Sequence, residues 1–279
     1  MTPDFLLLRP FASTATGRGR ILTLSIALAV WVSGMSVALS QNNAKPDEEG
    51  APGVVSTVDG WDIHYTYWKS PMGKEAPVVI LLHGKGQARL VWKALPLTKE
   101  LVKAQYAVIA VDLRKHGESK APEGASVQAR SDKLTKFDYA GMIEGDLEAI
   151  KKLIYSEHQA QRLNMRKLGI VATDMSTAVA LNWAAFDWSK TPFDDAPVAS
   201  ARTPRGQDVQ AIILVSPVDS LSGLGTIDST RFLRATGISA LLLFSNKTSS
   251  ENRAASKIYG QLGGEQQDAE NKRIYSYGF

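Results

Sequence analysis

Two continuous apolar runs, Pro77–Leu82 (PVVILL) and 106–111 (YAVIAV), constrain this chain more than any other feature. A strand that is apolar at every position must be covered on both faces, as in the centre of a helix-flanked sheet. Each run stops at a charged, glycine-bearing turn: His83-Gly84-Lys85-Gly86 after the first, and Asp112-Leu113-Arg114-Lys115-His116-Gly117-Glu118-Ser119 after the second. Similar runs recur at 168–172, Val209–Val215 and 238–244, with a short one at 272–277. Stretches of helical spacing separate them: 90–102, the face Ile143, Leu147, Ile150, Ile154, then 176–186 and 251–262. Strand and helix alternating in this way imply parallel strands joined by right-handed crossovers. Upstream, 54–58 and 63–68 flank Asp59-Gly60, a hairpin turn pair. The predicted fold is α/β: a doubly wound, mostly parallel sheet, its central strands in the order of the runs, with an N-terminal antiparallel hairpin at the edge. Ligands of such sheets bind beyond the carboxyl ends of the strands, which directs attention to the turns.

The first forty residues stand apart. Residues 1–20 carry Arg9, Arg18 and Arg20 against Asp4, and 21–40 (ILTLSIALAVWVSGMSVALS) hold no charge. A basic n-region followed by an apolar run, with Ala38 and Ser40 as small residues ahead of Gln41, reads as a signal peptide cleaved after Ser40 or as a retained membrane anchor. Residues 41–53 are polar and proline-bearing and read as a linker, which leaves 54–279 as the folded domain. The expected location is exported, periplasmic or secreted, with membrane contact only through the N-terminal segment if it is uncleaved.

Composition removes several function classes. Hydrophobic residues at 44% and charged residues at 22% are ordinary globular values. Half of the formal charge of +4 lies in the first forty residues, and no basic stripe interleaved with aromatics follows, so no nucleic acid partner is expected. The absence of cysteine excludes disulfides, thiol nucleophiles and cysteine-based metal sites. No P-loop or dinucleotide fingerprint occurs, and Asp187, Asp194 and Asp195 match no calcium loop, so neither cofactor nor metal is expected. The tryptophans read as core residues rather than a stacking platform, and Asp112, Arg114 and Glu118 read as partners that hold their own loop.

The turns carry a resemblance. HGKG is similar to the HG-x-G oxyanion turn of the α/β-hydrolase family, DLRKHGES to its D-x-R-G-H-G-x-S segment with Lys115 in place of a glycine, and GIVATDMSTAVAL (169–181) to its nucleophile elbow. The resemblance covers 54–279 and implies a capless hydrolase-like domain acting on a small-molecule substrate or an unidentified binding partner. It assigns the oxyanion donors to the backbone N–H groups of Lys85 and Met175. It gives His83, Gly84, Gly86, Asp112, Arg114, His116 and Gly117 the role of shaping the site.

Three departures bear on function. The register puts Asp174 where the family's nucleophile stands, with Ala172 and Ser176 in place of the flanking glycines; a shifted register would make Ser176 the nucleophile. The strand at 238–244 is followed by Ser245-Asn246-Lys247 where the family has its acid, so Asp219 becomes a candidate acid, with a helix cap or turn residue as the simpler reading. None of the four histidines (64, 83, 116, 158) follows the last strand, and the domain reads as ending before the usual histidine loop and final helix. Without a positioned base, acyl transfer and ester hydrolysis both stall. The expected function is therefore a catalytically silent or impaired member, a binding or structural module. The alternative is an active hydrolase of esters or similar small substrates, with Asp174 or Ser176 as nucleophile.

Overall fold

A computed structural model describes residues 49–279; the proposed export or anchor segment and most of the linker lie outside them. The core is one eight-stranded sheet of β1 (Ala51–Ser56), β2 (Asp62–Trp68), β3 (Pro77–Leu82), β4 (Ala107–Val111), β5 (Asn164–Thr173), β6 (Val209–Val215), β7 (Ser239–Phe244) and β8 (Ile274–Gly278). Their spatial order is β1-β2-β4-β3-β5-β6-β7-β8. β1–β2 and β2–β4 pair antiparallel, and every later pair is parallel. The predicted class therefore holds, but the central strands do not follow chain order. β4 crosses back to lie between β2 and β3, because winding in both directions from β3 is what lets helices cover both faces.

The main helices are α1 (Leu90–Ala94), α2 (Pro96–Lys103), α3 (Leu147–Gln159), α4 (Met175–Ser189), α5 (Ile227–Arg234) and α6 (Ser249–Gln261). The stretch 90–102 reads as one helix by periodicity but breaks at Leu95, whose extended backbone (φ −86°, ψ 142°) is what a residue before proline adopts. Pro96 then opens α2 at a position that needs no N–H. The sheet also begins earlier than composition implies. Ala51, Pro52 and Gly53 pair with Tyr67, Thr66 and Tyr65, and Pro52 is tolerated because β1 is an edge strand. The β1–β2 turn spans Thr57 to Trp61 rather than two residues, since the Thr57 hydroxyl donates to Asp59 Oδ1 (2.6 Å) and accepts from the Trp61 N–H (2.9 Å).

One large apolar cluster fills the α3–α4 side of the sheet, including Ile80, Leu82, Ile109, Leu147, Ile150 and Trp183. A smaller one under α1 and α2 holds Trp68, Trp92, Leu101 and Val102. Trp61, Trp68, Trp92 and Trp183 are all buried, as expected of core residues. Both faces of β3 and β4 are thus covered, which accounts for their uninterrupted apolar sequence. The turns that follow β3, β4, β5 and β6 emerge together at one end of the sheet.

Candidate functional site

At that end, Asp174 sits at the turn from β5 into α4 with φ 51° and ψ −125°. This region is hostile to a residue with a side chain and costs roughly 1–3 kcal/mol. Local bonds hold it: the Asp174 N–H donates to Val215 O (3.0 Å), and Asp174 O accepts from the Thr177 N–H (3.0 Å) and hydroxyl (2.6 Å). The Thr177 hydroxyl accepts in turn from the Val218 N–H (3.0 Å), which ties the β6 loop to the elbow. Space is tight on the β3 side as well, where a Cβ on Gly84 would lie 3.3 Å from Asp174 Cβ and 3.0 Å from Gln87 Oε1. The backbone strain thus falls on Asp174, as the unshifted register requires.

Ser176 lies inside α4, fully buried. Its Oγ lies 3.0 Å from Leu82 O and 2.9 Å from Thr173 O, and it accepts from the Thr173 N–H (3.0 Å). A hydroxyl so engaged replaces the glycine of the elbow at little cost, because its proton and one lone pair are both used beneath the turn. Ala172, the other flanking residue, is also fully buried.

One of the two oxyanion candidates meets Asp174, and the other follows it in the chain. Asp174 Oδ2 accepts the backbone N–H of Lys85 (3.0 Å), and Met175 is the first residue of α4, where the N–H has no acceptor within the helix. Asp174 is exposed to solvent, so one carboxylate oxygen lies on a donor of the HG-x-G turn at the open end of the elbow. That donor is the one a tetrahedral oxyanion would use in this fold. The Tyr139 phenol, which periodicity alone did not single out, belongs to the same neighbourhood. Burial and the charges of Asp138 and Asp174 raise its pKa.

No histidine is placed to act on Asp174. His83 is fully buried, with Nδ1 donating to Gly84 O (2.8 Å) and Nε2 accepting the Leu113 N–H (3.2 Å), which fixes both the tautomer and the neutral form. Burial lowers its pKa to about 4. His116 packs against it with ring centroids 4.8 Å apart, donates to Arg114 O (2.9 Å), and is also lowered by burial. His64 faces Glu118 at 3.7 Å, and His158 Nδ1 donates to the Leu163 carbonyl (3.2 Å). Asp219, the candidate acid, is ion-paired to Lys257, while its carbonyl accepts from the Thr226 hydroxyl (2.9 Å). It contacts no histidine.

The β4 turn is a charge network whose organiser went unrecognised in the sequence. Asp112 is fully buried and accepts from the backbone and guanidinium of Arg89 and from the Glu118 N–H (3.0 Å). Arg89 also bonds Glu118. Arg114 does not pair within its own loop; it reaches Asp146 (2.7 Å) and Asp59 (2.8 Å) and lies over the Trp61 ring. At Gly117 (φ 52°) a Cβ would fall 2.2 Å from Asp112 Oδ2, so both the conformation and the carboxylate exclude any other residue. Lys115 keeps the left-handed backbone of the glycine it replaces (φ 68°). Its buried Nζ offsets the strain by donating to Gln128 O (3.1 Å) and Lys133 O (3.2 Å) and pairing with Asp138 (2.9 Å). Asp187, read as a loop acid, is instead buried and paired with Lys151, which also binds Asp208 (2.8 Å). Periodicity hid Lys151 on the apolar side of α3. Among the described residues no cluster of His, Asp and Glu is arranged to hold a metal.

Residues 77–232, more than half of the chain, match the alpha/beta hydrolase fold family, and the chain belongs to it. In fold it is similar to an esterase of Pyrococcus furiosus (TM-score 0.56, 15% identity, 82% of this chain and 81% of that one). It is also similar to dienelactone hydrolase from Anabaena variabilis (TM-score 0.57, 16% identity, 84% and 87%). A curated relative, protein phosphatase methylesterase 1 of Rattus norvegicus, is 37% identical over 59 residues; that segment is 21% of this chain and 15% of that protein.

Proposed function

We propose that this chain is an exported α/β-hydrolase-fold module whose hydrolytic site is silent, binding at the elbow rather than turning substrate over. One observation carries the reading: the Asp174 carboxylate holds the Lys85 N–H, so the charge that an oxyanion would bring is already present. A second anion placed there meets like charge instead of a free donor. The histidines of this chain support the same reading, since His83 is neutral and fully bonded and His116 is turned to a carbonyl.

A second reading has one specific observation in its favour. The bond from Lys85 engages Oδ2 of an exposed carboxylate and leaves Oδ1 with no bond among the described residues to break, which suits a nucleophile that forms an ester. Release of that ester needs an activated water, and no residue around Asp174 supplies the base. Ser176 is the weaker nucleophile candidate because its Oγ is buried and bonded below the turn. A panel of activated esters, lactones and epoxides tests the proposal. No turnover above the Asp174→Ala background is expected, whereas saturable turnover lost in that variant means an active hydrolase. Export is tested separately by the mature N-terminus, which is expected to begin near Gln41; an intact Met1 on protein recovered from the cytosolic fraction rejects it.

A further inference from the structure

One cavity among the described residues lies away from the elbow. It has a volume of about 600 Å³, with Trp68, Thr98 and Val102 buried in its walls and Glu49, Lys93, Lys99 and Lys103 around them. Trp68 pairs with Val108 near the start of β4, so the cavity opens toward the end of the sheet opposite Asp174. The three lysines are exposed and make no ion pair among the described residues, and the acids nearest in sequence or in the wall are Glu100 and Glu49. Lys99 and Lys103 stand one turn apart on α2, and Lys93 shares a face of α1 with Leu90. Leu90 and Leu95 are exposed at 61% and 40%, around the break between the two helices. Unpaired lysines flanked by exposed leucines and backed by a tryptophan are the chemistry of a surface that rests on a bilayer.

Where the run of 21–40 is retained as an anchor instead of being cleaved, connectivity names the same occupant. Glu49, in the cavity wall, is nine residues from Ser40, where the uncharged run of 21–40 ends. Even fully extended, that link spans at most about 3.6 Å per residue, or roughly 30 Å. We propose that the α1–α2 face is a membrane-docking surface: the lysines bind anionic phospholipid headgroups, Leu95 enters the interface, and the Asp174 carboxylate stays in water. This is a contact of the folded domain, additional to any anchor and independent of whether the elbow is silent.

The absence of cysteine permits a direct test with the full chain. L95C carries an environment-sensitive fluorophore, and V58C, in the exposed β1–β2 turn at the elbow end, is the control. Each is mixed with vesicles of phosphatidylcholine alone or with phosphatidylglycerol added. At L95C a blue shift and several-fold protection from an aqueous quencher are expected only with phosphatidylglycerol. Both should vanish in 1 M salt, where the Debye length is about 3 Å, and in the K93E/K99E/K103E background. At the V58C control, no protection is expected. Protection at L95C that ignores headgroup charge, persists in the triple variant, or is matched at V58C would overturn the proposal, as would no protection at all.

Discussion

The turns after β4 and β5 lie at the same end of the sheet on either side of the β3 turn, and both set carboxylates against backbone and cationic donors, to opposite purposes. In the β4 turn Asp112 is fully buried and met by Arg89 and the Glu118 N–H, while Arg114 is divided between Asp146 and Asp59. At the elbow Asp174 is exposed and its carboxylate meets one donor, the Lys85 N–H. A buried charge must be fully partnered to exist at all, so the first region is committed to holding the fold. An exposed, singly bonded charge is stabilised little by its partner, so the second region is free to be used or lost without unfolding the chain. A change in the chemistry of the elbow would then leave the scaffold in place.

The sharpest way to break this contrast is Arg114→Ala. It leaves Asp146 buried without its cation, and a loss of about 3–5 kcal/mol is expected in urea denaturation. Next is acidification. His83 titrates near its ordinary value when unfolded but only at about 4 when folded, so its contribution is complete above about pH 6.5 and is lost as pH falls toward 4. Stability should decline there by up to roughly 1.4 kcal/mol per pH unit, and His83→Gln should flatten that slope. Smaller is the difference between Lys115→Gly and Lys115→Ala. Both lose the contacts of Nζ, but glycine relieves the positive φ and should be the more stable by about 1 kcal/mol in thermal melts. Smallest is Asp174→Ala, expected to shift stability by no more than about 1 kcal/mol, since it removes one exposed carboxylate and one bond.

How far the sequence reached follows the same division. The apolar runs located β3 and β4 because strands covered on both faces leave no choice of residue, more mixed runs located β5 to β8, and the two glycine turns located the end of the sheet that carries the site. What periodicity concealed was pairing across space. The roles of Arg89, Lys151 and Asp187 were not legible, because their partners lie on other elements. The strand order was hidden for a related reason: alternation specifies crossovers but not the side on which each returns. At Lys115 the substitution was visible and its meaning was not, since three acceptors on a distant segment are what make a lysine acceptable in a glycine conformation.

The central claim is that the Asp174 carboxylate rests in the oxyanion site without performing chemistry, and covalent trapping addresses it most directly. The folded chain is incubated with activated esters and epoxides, digested, and the peptide spanning the elbow weighed. The account predicts an unmodified peptide in every case, with the Lys85 bond intact and no ester on either side chain. A stoichiometric adduct on Asp174, absent after denaturation before mixing, would contradict it; one on Ser176 would show in addition that the buried hydroxyl leaves its bonds to Leu82 and Thr173 to react.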